Sequence, residues 1–193
     1  MHYKLWIIIA SSLFVIGIGA GLILGNIAAS TETESAITAG GFFSEMIESL
    51  EDLLTALGPF QVTTAVFIFL NNAATLLLSF IFSPILCLLP VLVLLVNGSL
   101  ISFISILVAH EESVGFLLAG LLPHGIFEIP ALIIGEAAAL SFGAMAIMAL
   151  FSPKRRSQLL PNLKQNLKYL LFAFILLVPA AIIETFVTPL LLQ

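Results

Sequence analysis

Long runs of apolar residues dominate the chain, and short polar stretches separate them. Each run is close to the roughly 20 residues that a helix needs to cross a bilayer. Backbone groups in lipid must pair internally, so such runs form helices. The pattern therefore predicts an all-α, polytopic membrane bundle that forms a single domain over residues 1–193. Its five transmembrane helices are expected at about residues 5–28, 60–82, 84–109, 125–150 and 168–190.

A sixth apolar stretch, residues 114–122, is too short to cross a bilayer. It lies between the polar group His110-Glu111-Glu112 and Pro123. We interpret it as a re-entrant half-helix that leads into the fourth span. Irregular backbone at membrane depth is tolerated only where protein or a water-filled cavity covers it. The Pro-His-Gly break is therefore expected to be buried against other helices.

The link between the first two spans contains apolar residues at helical spacing over residues 42–57. Ser44 can cap the start of this helix, and Gly58-Pro59 ends it. The pattern predicts an outer amphipathic helix with an acidic polar face. Interfacial helices that bind anionic lipid carry Lys and Arg, and this one has none. Its apolar face is expected to pack on the protein's own spans or on a partner.

Charge is distributed unevenly along the chain. The loop after the first span carries acidic residues and no basic one. By the positive-inside rule, the N-terminus is expected in the cytoplasm and the C-terminus outside, which requires an odd number of crossings of the cell membrane. The basic residues before the first span and around the link before the last span are Lys4, Lys154, Arg155, Arg156, Lys164 and Lys168.

Composition excludes several classes of protein. The chain is 61% hydrophobic and 9% charged, with a mean hydropathy of +1.22, which excludes a soluble domain. No basic surface suits nucleic acid, so the lipid bilayer is the expected partner. The single cysteine, Cys87, excludes an intrachain disulfide framework and a thiolate metal cluster.

Two spans carry small residues at four-residue spacing, which lets helix backbones approach closely in a membrane. These ladders predict helix-packing faces. Packing within the chain and packing in a homodimer are both consistent with them. The positions are Gly17, Gly21 and Gly25 in the first span, and Ala131, Gly135, Ala139 and Gly143 in the fourth.

Ionisable side chains inside a membrane cost roughly 2.5–3.5 kcal/mol each at a helix centre, so their positions are informative. His124 and Glu128 lie one helical turn apart, between two prolines, and Glu128 shares a face with the fourth-span ladder. Glu136 is a further carboxylate of that span. Six residues lie at similar depth on different spans and form a predicted polar cluster: His124, Glu128, Asn71, Asn72, Asn97 and Glu184.

Three interpretations of this cluster remain open: a structural lock between helices, a proton or ion relay, and a catalytic site. One His and two Glu could complete a metal shell. The chain has no His-Glu-x-x-His helix and no Ser in a Gly-x-Ser-x-Gly setting. No catalytic, cofactor-binding or metal-ligating residue is therefore assigned, and no cofactor is expected.

Four stretches are distinctive: Phe69-Leu70-Asn71-Asn72-Ala73, Val96-Asn97-Gly98, Leu122 to Pro130, and Ala181 to Pro189. Together they make the chain similar to the stage II sporulation protein M family of integral membrane proteins. The resemblance covers nearly the whole chain and implies five spans with a cytoplasmic N-terminus. Members in endospore formers anchor a peptidoglycan-degrading machine, but the resemblance carries over only the membrane core and its polar cluster, not that role.

The leading hypothesis from the sequence is a non-enzymatic membrane scaffold or assembly factor whose polar cluster holds the bundle together. A homodimer and other membrane or envelope proteins are its expected partners. The alternative is a transporter or channel for a small solute or proton that uses Glu128 and His124. The third hypothesis is an intramembrane hydrolase.

Overall fold

The computed structural model describes residues 3–30, 58–85 and 87–192, and this part of the chain is helical with no strand. Five of its helices are long and apolar enough to span a bilayer, which confirms the all-α membrane class. The predicted amphipathic helix at 42–57 lies outside the described residues. The helices are α1 (Tyr3–Ser30), α2 (Val62–Phe82), α3 (Leu88–Glu111), α4 (Val114–Phe151), α5 (Pro153–Phe186) and the short α6 (Thr188–Leu191).

The five long helices alternate in direction. Gly17 of α1 lies on Leu95 of α3, and Gly25 lies on Ile106, so these two helices run parallel. Helices α2 and α4 are also parallel, because Asn72 and Ser79 on α2 contact residues in the same order on α4. Helix α5 returns antiparallel to α4.

Helix α4 is the centre of the bundle. It packs against α1, α2, α3, α5 and α6, and its most extensive contact is with α5. The segment 135–141 is buried throughout, whereas the outer helices expose large apolar side chains such as Ile8, Val62 and Leu171. An apolar exterior around a buried centre is expected of a bundle whose solvent is lipid.

The two small-residue ladders lie inside the chain. A methyl group on Gly21 would overlap the carbonyl oxygen of Ser99 on α3, so only glycine permits this approach of α1. Gly135 and Gly143 on α4 lie against Leu76 and Ser83 around α2. Both ladders therefore form internal packing faces and are not free to form a dimer interface.

The segment 114–122 is not a separate half-helix, which corrects the prediction for it. These residues form the first turns of α4, which continues through Pro123 and Pro130 to Phe151 without interruption. A helical proline loses one backbone hydrogen bond, and neighbouring helices and local adjustment make that loss tolerable in a membrane. At 38 residues, α4 is about 57 Å long, well beyond the hydrocarbon thickness of about 30 Å.

The basic link before the last span is also helical. Only Ser152 separates α4 from α5, which begins at Pro153 and carries the basic residues in its first half. Proline suits the first turn of a helix because it has no N–H to leave unpaired. Arg156 donates from Nε to the carbonyl oxygen of Ala149, 3.2 Å away, and so caps the end of α4.

Candidate functional site

A cleft of about 440 Å³ opens between α2, α3, α4 and α5. Its walls are mostly apolar, and its polar groups come from all four helices. Asn72 lies at the midpoint of α2, so the cleft is near the middle of the bundle. Five of the six predicted cluster residues line it: Asn71, Asn72, Asn97, Glu128 and Glu184.

A side-chain hydrogen bond joins α2 to α4 in the cleft. The amide nitrogen of Asn72 donates to Glu128 Oε1 at 3.2 Å. Asn97 instead donates to the carbonyl oxygen of Val93 in its own helix at 2.8 Å, and Asn71 is exposed. Glu128 therefore has a fixed donor on one oxygen, and its other oxygen is available to another partner.

Two carboxylates that line the cleft, those of Glu128 and Glu184, lie close to the imidazole of His124. His124 Nε2 is 3.9 Å from Glu128 Oε2, as expected for residues one turn apart on α4. Glu184 arrives from α5, and one ligand atom from each of the three side chains lies within 4.8 Å of the other two. His124 is 14% exposed and Glu128 is 32% exposed, so the group is sheltered but reachable.

His124 does not line the main cleft itself. It lines an apolar groove of about 230 Å³ between α3 and α4. Its Nδ1 is 3.5 Å from the hydroxyl oxygen of Thr188, at the start of α6. When Nδ1 carries the proton and donates it to Thr188, the lone pair of Nε2 faces Glu128.

Glu184 connects the cleft to one end of the bundle. It also lines a third pocket, of about 320 Å³, with Gly58 and Pro59 in the segment just before α2. The carboxylate is thus shared between a chamber inside the bundle and a pocket near the start of α2.

In the described helices that line the cleft, no Lys or Arg lies near these carboxylates along the chain. Helices α2, α3 and α4 contain no Lys or Arg. The nearest basic residue of α5 along the chain, Lys168, is about 24 Å from Glu184 along the helix axis. Carboxylates in such surroundings are protonated, hydrogen-bonded or bound to a cation, because an unpaired buried charge is costly.

The sequence pattern placed Glu136 in the fourth span but did not reveal its partner. Glu136 is fully buried, and its Oε2 is hydrogen-bonded to the hydroxyl of Ser79 on α2. Within the described part of the chain, Oε1 has no hydrogen-bond partner. The sequence does indicate which face Glu136 occupies, because Glu136 follows Glu128 by eight residues and shares its face of α4. Thr188 was also missed, although it lies in the quoted stretch that ends at Pro189.

A third polar contact lies closer to the basic end of α5. The buried amide of Asn166 donates to the hydroxyl oxygen of Ser141 at 3.2 Å and to Asn162 at 2.9 Å. Side-chain hydrogen bonds at Glu128, Glu136 and Ser141 thus join α4 to its neighbours along its length.

The sequence profile of the family described as "Stage II sporulation protein M" matches residues 10–189. This chain belongs to that family. The match covers α1 from residue 10, the whole of α2 to α5, and every residue that lines the cleft. The resemblance inferred from the four sequence stretches is confirmed.

Two similar proteins come from the archaeon Methanocaldococcus jannaschii. The uncharacterized protein MJ0793 is 36% identical over 92 residues, which are 48% of this chain and 50% of that protein. The uncharacterized protein MJ0706 is 27% identical over 148 residues, which are 76% of this chain and 65% of that protein. The matches thus span half to two-thirds of these relatives. No solved structure matches the chain.

Proposed function

We propose that this family member is a membrane transport protein for a small cation, with the central cleft as its binding chamber. The observation that carries the proposal is the meeting of His124, Glu128 and Glu184 at a cleft inside the bundle with no Lys or Arg beside them. Intramembrane ionisable groups that face a cavity are characteristic of ion and substrate pathways.

The positions of the carboxylates support passage as well as binding. Glu184 borders both the chamber and the pocket near Gly58, which provides a route from one end of the bundle. Glu136 lies about 12 Å further along the same face of α4, beyond the chamber. Acidic groups therefore follow one another along the central helix.

A flux assay tests the proposal. Purified protein is reconstituted in liposomes that contain an ion-sensitive dye, and a panel of monovalent and divalent cations is added outside. We expect entry of at least one cation above the rate of empty liposomes. Glu128→Gln and Glu184→Gln should reduce that entry to the empty-liposome rate, because each removes a charge from the chamber.

Gly19→Ala is the matched control, since a methyl group at Gly19 meets nothing within 4 Å and should leave flux unchanged. Each variant is first shown to melt like the wild type, so that a loss of flux is not a loss of fold. Absence of flux for every cation in the panel would refute transport, as would full flux in both carboxylate variants.

A second proposal is that the protein is a membrane scaffold or assembly factor, alone or as a dimer, for other membrane or envelope proteins. Its support is the set of polar contacts that join α4 to α2 and α5, together with the interlocked glycines of α1 and α3. Such contacts make a stiff bundle that suits a platform.

The two proposals predict different effects of substituting Glu128. In a scaffold, Glu128→Gln keeps the contact with Asn72 and leaves a cross-linked partner complex in native membranes intact. In a transporter the same substitution stops flux. A variant that loses its cross-linked partner while it melts normally would contradict a purely structural role for this residue.

We also propose that the N-terminus lies in the cytoplasm. Tyr3 at the start of α1 stacks on Tyr169 in the middle of α5, with ring centroids 3.5 Å apart. Because α1 and α5 run in the same direction, the basic first half of α5 extends from the end of the bundle where α1 begins. That end carries the basic residues of the chain, and basic segments favour the cytoplasmic side.

A further inference from the structure

The cluster of His124, Glu128 and Glu184 has the composition and spacing of a metal shell. One imidazole nitrogen and two carboxylate oxygens lie within 4.8 Å of one another. Metal–ligand bonds of roughly 2.0–2.2 Å place neighbouring ligands about 3–4 Å apart. Small rotations of the two Glu side chains would bring the three ligand atoms to that spacing. The sequence pattern alone assigned no metal ligand here.

The contact between His124 and Glu128 is not a direct hydrogen bond. Their nearest atoms, Nε2 and Oε2, are 3.9 Å apart, beyond hydrogen-bond length and within the spacing of two ligands on one ion. The other oxygen of Glu128 is held by Asn72 at 3.2 Å. Glu128 can therefore direct Oε2 to an ion that it shares with His124, while Oε1 stays hydrogen-bonded to Asn72.

Thr188 gives His124 the outer contact that metal-bound histidines commonly have. A ligating imidazole usually donates its other N–H to an oxygen, which fixes the tautomer and the ring orientation. Here the hydroxyl oxygen of Thr188 is 3.5 Å from Nδ1, on the side of the ring away from Glu128. The lone pair of Nε2 is then free to coordinate.

Charge balance identifies the kind of ion. A divalent cation would neutralise two ionised carboxylates that have no Lys or Arg nearby in the sequence of their helices. A single imidazole among oxygen ligands suits first-row transition metals, whereas Mg²⁺ and Ca²⁺ prefer oxygen alone. Three protein ligands beside a cleft leave coordination positions for water or another group.

We propose that His124 Nε2, Glu128 Oε2 and a carboxylate oxygen of Glu184 bind one divalent first-row transition metal ion, of which Zn²⁺ is the representative. The inference rests on the proposed function for the role of the chamber and names the class of cation that it takes. The remaining coordination positions of the ion face the cleft.

Metal titration in detergent tests the site without any transport assay. The protein is purified with an affinity tag that contains no histidine, treated with a chelator and titrated with Co²⁺, whose visible absorption reports its ligands. We expect one Co²⁺ per chain and its displacement by one Zn²⁺. His124→Gln and Glu128→Gln should abolish the visible spectrum, and Gly19→Ala, which adds a methyl group that meets nothing within 4 Å, should bind like the wild type.

Thr188 provides a variant that leaves all three ligands in place. Thr188→Val removes the hydroxyl contact and should weaken Co²⁺ binding by about 10- to 100-fold, as loss of an outer contact does at other metal sites. Thr188→Ser should restore it. Metal binding that is not saturable, or that persists unchanged in His124→Gln and Glu128→Gln, would show an adventitious ion only and would overturn the site.

The outcomes also separate this inference from transport. One Co²⁺ bound per chain without flux of any cation would support the metal site and refute the transport proposal. Flux of a monovalent cation without 1:1 binding of Co²⁺ or Zn²⁺ would support transport and refute the metal site.

Discussion

At the scale of single residues, three proposed roles of the protein involve the contact between Asn72 and Glu128. Structural, transport and metal-binding roles all use this carboxylate, and they differ in what a neutral substitute can replace. Gln preserves an acceptor for the amide of Asn72 but removes the charge. Leu removes both.

We predict that Glu128→Gln melts close to the wild type in detergent and that Glu128→Leu melts at a lower temperature. The reason is that Leu leaves the half-buried amide of Asn72 without its acceptor, a loss of about 1–3 kcal/mol. Thermal unfolding followed by circular dichroism measures both variants. Wild-type melting of Glu128→Leu would contradict a structural role for the contact.

The buried contact between Glu136 and Ser79 gives a second prediction. Ser79→Ala leaves a fully buried carboxyl group without its partner and should cost about 1–3 kcal/mol of stability. In a Glu136→Leu background the same substitution should cost much less, because no polar group remains to be satisfied. A double-mutant cycle on the melting temperature measures this coupling. Equal losses in both backgrounds would show that the two side chains are independent.

The polar cluster could be predicted from the sequence because depth along an apolar span can be counted residue by residue. The partners of Glu136 and His124 could not. Ser79 and Thr188 are single hydroxyl residues near or within apolar runs, and many such residues hydrogen-bond only to their own helix, as Thr185 does to Ala181. Only the packing of the helices determines which hydroxyl residues form a hydrogen bond to a neighbouring helix.

At the scale of helices, the interlock of α1 with α3 depends on close backbone approach. A methyl group on Gly21 would overlap the backbone of Ser99, whereas one on Gly19 meets nothing within 4 Å. We predict that Gly21→Ala destabilises the protein by about 1–3 kcal/mol through overpacking.

Gly19→Ala should leave the melting temperature unchanged or raise it, because alanine favours the helix. Both variants are compared by thermal unfolding in the same detergent. A loss of equal size in the two variants would mean that the α1 helix itself, and not its contact with α3, is sensitive to alanine.

Span positions follow from the sequence because hydrophobic length is the physical requirement for crossing. The ends of α4 and α5 cannot be predicted from hydrophobic length alone. Pro123 indicates a helix end in water, yet packed neighbours let α4 continue through it. The basic segment before the last span has a composition typical of a loop, yet it forms the first turns of α5.

At the scale of the whole molecule, small-residue ladders show which faces pack but not against which helix. The central position of α4 therefore could not be predicted from the sequence. The alternation of five spans could be, because it needs only their number. Because the spans alternate in direction, the start of α2 and the start of α5 lie at opposite ends of the bundle.

Cysteine labelling in intact cells tests this topology. In a Cys87→Ser background, Gln61→Cys and Ser157→Cys place single thiols at two exposed positions before α2 and in the first turns of α5. We predict that a membrane-impermeant maleimide labels the thiol at position 61 from outside and reaches the one at position 157 only after permeabilisation. Labelling of both from the same side would contradict the alternating arrangement.

The most direct test of the cation site is an experimental structure of the protein with Zn²⁺ in a lipid environment, with anomalous scattering recorded at the zinc edge. We predict one anomalous peak between α4 and α5, at roughly 2.0–2.2 Å from His124 Nε2 and from oxygens of Glu128 and Glu184. A structure of the zinc-treated protein with no peak at these three side chains, or with the peak elsewhere, would contradict the assignment of the cleft as a cation site.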